Sequence, residues 1–230
     1  MKLSCLVFGI CAFSLTCAFG DLTIVQNVEG IGPATQMTMK IKGDKARVDI
    51  SPQISTIFDS KTGDVINLMR DQKMVVRMSA DKIKAATEMM RKSQGQPEGA
   101  AKPKIVPTGK KEMFNGYQTE QYTCDSPSFK ATYWIAAGYP DGATILRQLQ
   151  AVKMDALSGS NSHMPDYRDI PGVPVKTVLS FSGKQITSTL NSIKQDAISD
   201  SEFSVPADYK EMNIPDILRG AKAAPPAPTP

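Results

Sequence analysis

Short runs of alternating apolar and polar residues, each closed by a tight-turn signal, leave this chain few folds other than an antiparallel sheet. In Thr35 to Lys42, Met37, Met39 and Ile41 fall on one face and Gln36, Thr38 and Lys40 on the other, the period of a half-buried strand. After Gly43-Asp44 the alternation resumes with Ala46, Val48 and Ile50. Residues 55–58 form a short run, and turn signals at 61–64 and 71–72 lead into runs at 65–69 and 74–78. Asn115-Gly116 separates residues 111–114 from Tyr117 to Cys124. Asn-Gly is the strongest short hairpin signal, because both central residues must take positive φ. Residues 129–136 follow, and residues 173–181 and 185–193 make a long hairpin across 182–184. The pattern predicts a mainly β domain with a few helices: about eleven strands in one curved antiparallel sheet. No spacing suits a βαβ unit.

Two helices interrupt the strands. Ser79 or Asp81 can cap a helix to Lys92, with Ile83, Ala86 and Met90 on one face and Lys82, Lys84, Arg91 and Lys92 on the other. A second helix starts near Asp141 and aligns Ile145, Leu146, Leu149 and Val152. Each is apolar on one side and must lie on the sheet. Residues 93–108 read as a flexible linker inside the domain, residues 155–172 as a long loop, and residues 219–230 as a disordered Ala/Pro-rich tail.

The N-terminus fixes a compartment. Met1-Lys2 precedes an uncharged, mostly apolar stretch that ends Ala18-Phe19-Gly20, with small residues where a signal peptidase reads them. Residues 1–20 are therefore expected to be a signal peptide, and residues 21–218 a single domain, periplasmic or secreted. Cys11 and Cys17 lack the context of a lipid-accepting cysteine. Three of the four cysteines fall in the leader, so Cys124 has no disulfide partner in the mature chain. Loss of Lys2 lowers the net charge of +4 by one, too little to argue for nucleic acid. The 41% hydrophobic content is enough for a core, and no stable membrane span is expected after cleavage. A monomer is expected.

Little points to chemistry. His163 is the sole histidine and lies in a Ser-rich loop; Cys124 ends an alternating strand, where a cysteine is usually a small buried hydrophobe. One His and one Cys make no zinc site, and Asp166, Asp169, Asp196, Asp200 and Glu202 lack calcium-loop spacing. No catalytic residue, no metal and no cofactor are assigned. The twelve methionines fit either ordinary core filling or a deformable apolar cavity. Trp134 fits either a rim residue or a core plug, and Lys102, Lys104, Lys110 and Lys111 either a solvated run or a contact for an anionic partner.

The run from the hairpin at 42–44, through Arg47, residues 54–59 and residues 65–69, resembles the start of the periplasmic lipoprotein-carrier fold (LolA and LolB), which implies a curved antiparallel sheet shaped as a half-open barrel and lidded by helices. More closely, the chain is similar to an uncharacterised family of exported bacterial domains thought to share that fold. The motifs are Gly116-Tyr117 with Tyr122 and Cys124, Tyr133-Trp134-Ile135, and Phe203 to Lys210 with Pro206 and Tyr209. The likeness covers about residues 22–214. It implies a cavity between sheet and helices for a lipid, an acyl chain or a lipoprotein, with Lys42 in the place where the carriers use Arg to latch a lid. Ligand contacts are then expected from Met37, Met39, Ile41, Val48, Ile50, Ile83, Ala86 and Met90. The rival reading is an envelope interaction module with a filled core and no small ligand.

If the leader is cleaved as expected, N-terminal sequencing of the exported protein will begin at or near Asp21. An intact N-terminus in a membrane fraction would refute the cleavage.

Overall fold

A computed structural model describes residues 20–30, 32–93, 103–126, 129–152 and 167–212. Twelve strands form one sheet: β1 Leu22–Glu29, β2 Thr35–Lys42, β3 Lys45–Asp49, β4 Ile54–Asp59, β5 Asp64–Met69, β6 Met74–Met78, β7 Val106–Phe114, β8 Tyr117–Asp125, β9 Lys130–Ala136, β10 Val173–Phe181, β11 Lys184–Lys194 and β12 Lys210–Glu211. Helix α1 spans Ala80–Ser93 and α2 spans Gly142–Ala151. The strand order is β12-β6-β5-β4-β3-β2-β1-β11-β10-β9-β8-β7. All neighbours pair antiparallel except β12, which lies parallel to β6. The sheet is mainly antiparallel, open at β7 and β12, and not closed into a barrel.

β1, a strand that the sequence pattern does not announce, is central. It pairs with β2 on one side and with β11 on the other. The chain builds one wing outward from β1 to β6, then resumes at the far edge with β7 and returns inward to β11. β7 is longer than the expected run at 111–114, because Pro107 and Gly109 fall on an edge strand with a register shift between Pro107 and Lys111, where a missing N–H and weak propensity are tolerated. The expected linker at 93–108 therefore ends in strand; residues 94–102, the loop at 153–166 and the tail at 219–230 lie outside the described residues.

Local turn chemistry matches the sequence. Asn115 and Gly116 have φ of 49° and 82°, and Ser182 and Gly183 have 49° and 75°, the left-handed pair that a two-residue hairpin needs. Gly30 at φ 99° is required twice over: a Cβ there would sit 1.9 Å from the Gln185 carbonyl oxygen, so the β1–β2 connection can lie against the β10–β11 hairpin with no other residue.

The two faces of the first wing are covered differently. Ile57, Leu68 and Val75 on the outer face pack against Ile198 and Phe203 from the C-terminal segment, with Ile66, Val205 and Tyr209 beside them. Charged side chains fasten that segment. Arg47 Nη1 donates to the Glu202 carbonyl oxygen at 2.6 Å and to its carboxylate at 3.2 Å. Lys40 pairs with Glu202 at 2.9 Å, Lys73 with Asp208 at 2.8 Å and Arg77 with Glu211 at 3.5 Å. Exposed pairs of this kind contribute little singly; their register holds the segment over the apolar patch. Asp49 accepts from Ser55 at 2.5 Å, Arg47 at 2.9 Å and Arg70 at 2.7 Å. Burial pushes its carboxyl up, but the Ser55 and Arg47 hydrogen bonds and the two guanidinium charges outweigh that and hold it below the ordinary carboxylate value.

The wings meet in the β1–β11 ladder, where seven residue pairs run from Thr23–Lys194 to Glu29–Thr187. A single proteolytic cut between residues 94 and 102 should therefore leave the two fragments as one complex on native size exclusion. Fragments that separate and each stay folded would contradict a single shared sheet.

Candidate functional site

The inner face of the sheet carries the candidate site. Alternation sends Ile24 and Gln26 of β1, Met37 and Met39 of β2, Val48 of β3, Thr56 of β4, and Val65 and Asn67 of β5 to one side. Thr177 and Leu179 of β10 and Ile186, Ser188 and Leu190 of β11 share that side. These residues, with Met78 and Tyr133, line a cavity of about 600 Å³. Met78 on β6 and Tyr133 on β9 are eight strand spacings apart, roughly 38 Å on a flat sheet. That both border one cavity requires the sheet to curve strongly around it. Along β11 the lining runs from Ile186 to Ile193, roughly 24 Å of strand.

A bulge extends the apolar wall. Opposite β1 the register skips Asn191, so that Gln26 faces Leu190 while Val25 faces Ser192. Strict alternation would turn Ile193 away from the face that holds Leu190. The extra residue turns it back, and both line the cavity.

The helical wall is α2. Ile145 and Leu149 border the cavity, and Ile145, Leu146 and Leu149 are buried with Val152 in the principal core cluster, which also holds Leu22, Ile41 and Ala46. Gln148 is buried on the same helix and donates to the Gly20 carbonyl oxygen.

Of the residues expected to contact a ligand, Met37, Met39, Val48 and Ile50 come together on the lining. Ile50 is 46% exposed and marks where the cavity opens. Ile41 lies deeper, 2% exposed within the core cluster. The stripe expected on α1 supplies no lining residue among those described. Ile83 is half-buried against the core, Ala86 is exposed, neither borders the cavity, and the side chain of Met90 lies outside the described residues. The physical reason is apolar area: α2 offers four large aliphatic side chains on one face, whereas Ala86 offers α1 a single methyl group.

Lys42 is also placed differently from a lid latch over the cavity. It follows Ile41 and so points to the outer face, where its ammonium donates to the Ile198 carbonyl oxygen at 2.6 Å and pairs with Asp200 at 2.9 Å. The hydrogen bond to Asp200, offset in part by desolvation, raises its pKa. It fastens the C-terminal segment on the outer face. Trp134 is likewise on the outer face, half-buried, with the Lys176 ammonium 4.7 Å from its ring centroid and its indole N–H donated to Glu112.

The lining contains no Asp, Glu, Lys, Arg or His among the described residues. Its polar groups are neutral. Thr56 Oγ1 donates to Asn67 Oδ1 at 2.7 Å across β4–β5; Thr177 and Ser188 are register partners across β10–β11; Gln26 sits between the wings on β1. These residues were not expected from the sequence. The signal was present in their parity, since each falls on the face of an already legible strand that also carries Met or Leu. Cys124 is fully buried, and burial, then Asp125, pushes its thiol up, opposite to what a nucleophile needs. His163 lies outside the described residues.

A family model described as a domain of unknown function (DUF4412) matches residues 20–209. The chain belongs to that family. No curated protein matches it. Among solved structures it is similar to PNGF-II in a C2 crystal form, at 15% identity and TM-score 0.43, covering 89% of this chain and 33% of that one. It is similar to the MucA/MucB complex of Pseudomonas aeruginosa, at 8% identity and TM-score 0.42, covering 86% and 59%, and to LprF from Mycobacterium bovis, at 12% identity and TM-score 0.30, covering 84% and 90%. The chain thus spans about a third of PNGF-II. Similarity of this degree transfers neither ligand nor activity.

Met39 tests whether the space is filled. It borders the cavity and packs against the core cluster. A fully packed methionine loses about 2–5 kcal/mol on truncation to Ala. Met39→Ala should fall below that range in urea unfolding, because part of its surface already faces a void.

Proposed function

We propose that this protein is an exported, non-catalytic binding protein that holds a hydrophobic ligand or acyl chain in the cavity between its curved sheet and α2. The observation that carries the reading is the cavity itself: about 600 Å³, within the range of small-molecule sites, apolar, and without a charged side chain among the described residues that line it. Such a space, left unfilled, forfeits the dispersion contacts that a packed core would make. A ligand restores them. Met37, Met39 and Met78 suit ligands of varied shape, because thioether chains repack at low cost. The resemblance to the lipoprotein carriers agrees with this reading, with α2 in the covering role and Lys42 holding the C-terminal segment.

A second reading has one observation in its favour. β7 is an edge strand exposed along most of its length, with Val106 57% and Met113 66% exposed, and exposed edges pair readily with partner strands. That favours an interaction module.

Native mass spectrometry of protein taken from its host separates the two. Co-purifying lipid is expected; a clean apo mass favours the module. In solution, Nile red should bind the folded wild type saturably, and Met39→Lys should abolish that binding while the folded fraction, read by circular dichroism, is kept. Absence of saturable binding by folded wild type removes the ligand reading.

A further inference from the structure

The polar groups inside the cavity specify more than hydrophobicity. We infer that the cavity selects an uncharged long-chain acyl compound bearing hydrogen-bond acceptors, an ester or amide, over a free fatty acid. This rests on the ligand-binding reading above and adds the chemical class.

The lining excludes a buried carboxylate. A carboxylate taken from water keeps its charge only when a cation or several donors replace its hydration. No Lys, Arg or His borders the cavity among the described residues. Lys40, Lys42 and Arg47 of β2 and β3 point to the opposite face and are engaged with the C-terminal segment. A neutral carbonyl carries no such penalty and needs one donor.

Donors are what the walls supply. Asn67 Oδ1 already accepts from Thr56, so the side chain has its two amide N–H groups left to give. On the other wing the Ser188 hydroxyl oxygen is shut from solvent and finds no partner among the described residues. A buried hydroxyl without a partner is destabilising by itself, and an apolar residue in its place would serve a purely structural wall better. Its register partner Thr177 adds a second hydroxyl. The two polar pairs stand on opposite wings of the curved sheet, with the aliphatic stretch of Ile24, Met39, Leu149 and Ile193 beside them. An acyl chain lies along that stretch while its ester or amide carbonyl meets the Asn67 amide or, once the Ser188 hydroxyl turns from its shut position into the cavity, Ser188.

The test uses the mature chain at pH 7.5 with Nile red as reporter and two twelve-carbon competitors, monolaurin and laurate. Monolaurin should displace the dye at a concentration about tenfold lower than laurate, a modest difference in binding free energy. Ser188→Ala should weaken monolaurin about fivefold, the equivalent of one neutral hydrogen bond. Nile red and laurate binding should not change, and the melting temperature should not fall, since the hydroxyl has no partner to lose. Equal or tighter binding of laurate, as expected if the headgroup stays in water beside Ile50, overturns the inference and leaves the ligand reading intact. Failure of Nile red to bind wild type removes both. Should Ser188→Ala not fold, the ranking of the two competitors on wild type decides alone.

Discussion

The pairing of β1 with β11 is the contact on which the rest of the structure depends. Every other antiparallel pair joins strands close in sequence, through turns of a few residues or, at β9–β10, through α2. β1 and β11 join opposite ends of the domain, with Thr23 set against Lys194. For an unstructured loop of about 170 residues the closure entropy is roughly 5 kcal/mol plus a constant. The hairpins of the two wings reduce that cost by forming locally, so the ladder closes between two preformed surfaces. Without it each wing would expose its inner face and a strand edge, and there would be no common cavity.

A sheet of this width cannot be covered on both faces by two helices, and the chain resolves the shortage asymmetrically. On the first wing the outer face is sealed by residues 196–212, with Phe203 and Ile198 as plugs and a line of ion pairs as fasteners. On the inner face α2 seals the part nearest Val152 and Ile145. The remaining inner surface curves around space that no described residue fills. The cavity therefore follows from the ratio of sheet to helix, and Met37 and Met39 on β2 and Met78 on β6 border it because strand parity sends them there.

How much of this was legible depended on local signals. The strands with clean alternation and the turns at Asn115-Gly116 and Ser182-Gly183 could be read directly. β1 is hard to read because Gln26 interrupts its apolar face, and that same glutamine lines the cavity: the break in the pattern belongs to the site. β7 was shortened because Pro107 and Gly109 argue against a strand, an argument that fails at an edge. β12 has two residues and forms by docking on β6, so no periodicity encodes it. Both helices were legible as amphipathic, but the choice of wall between them turned on Ala86 against Leu149, a difference in buried area that a count of apolar positions does not register. Lys42 stands out in the sequence for its place before a turn, yet its role follows from parity: one residue past Ile41, it faces outward.

Parity is also what lets a short stretch serve two surfaces. In β2 and β3 the inward residues are Met39, Ile41, Ala46 and Val48, and the outward ones are Lys40, Lys42, Arg47 and Asp49. The first set gives a wall without charge; the second gives the docking line for the C-terminal segment. A slip of one residue would exchange the two sets, placing Lys40 and Arg47 in the cavity and leaving Glu202 without its cations. The ion pairs at Arg47 and Lys42 thus do more than hold a terminal segment: they penalise the register in which the cavity would be charged. Weak as each exposed pair is, the register they select is the one in which the lining stays neutral, and that neutrality is what the proposed uncharged acyl ligand requires.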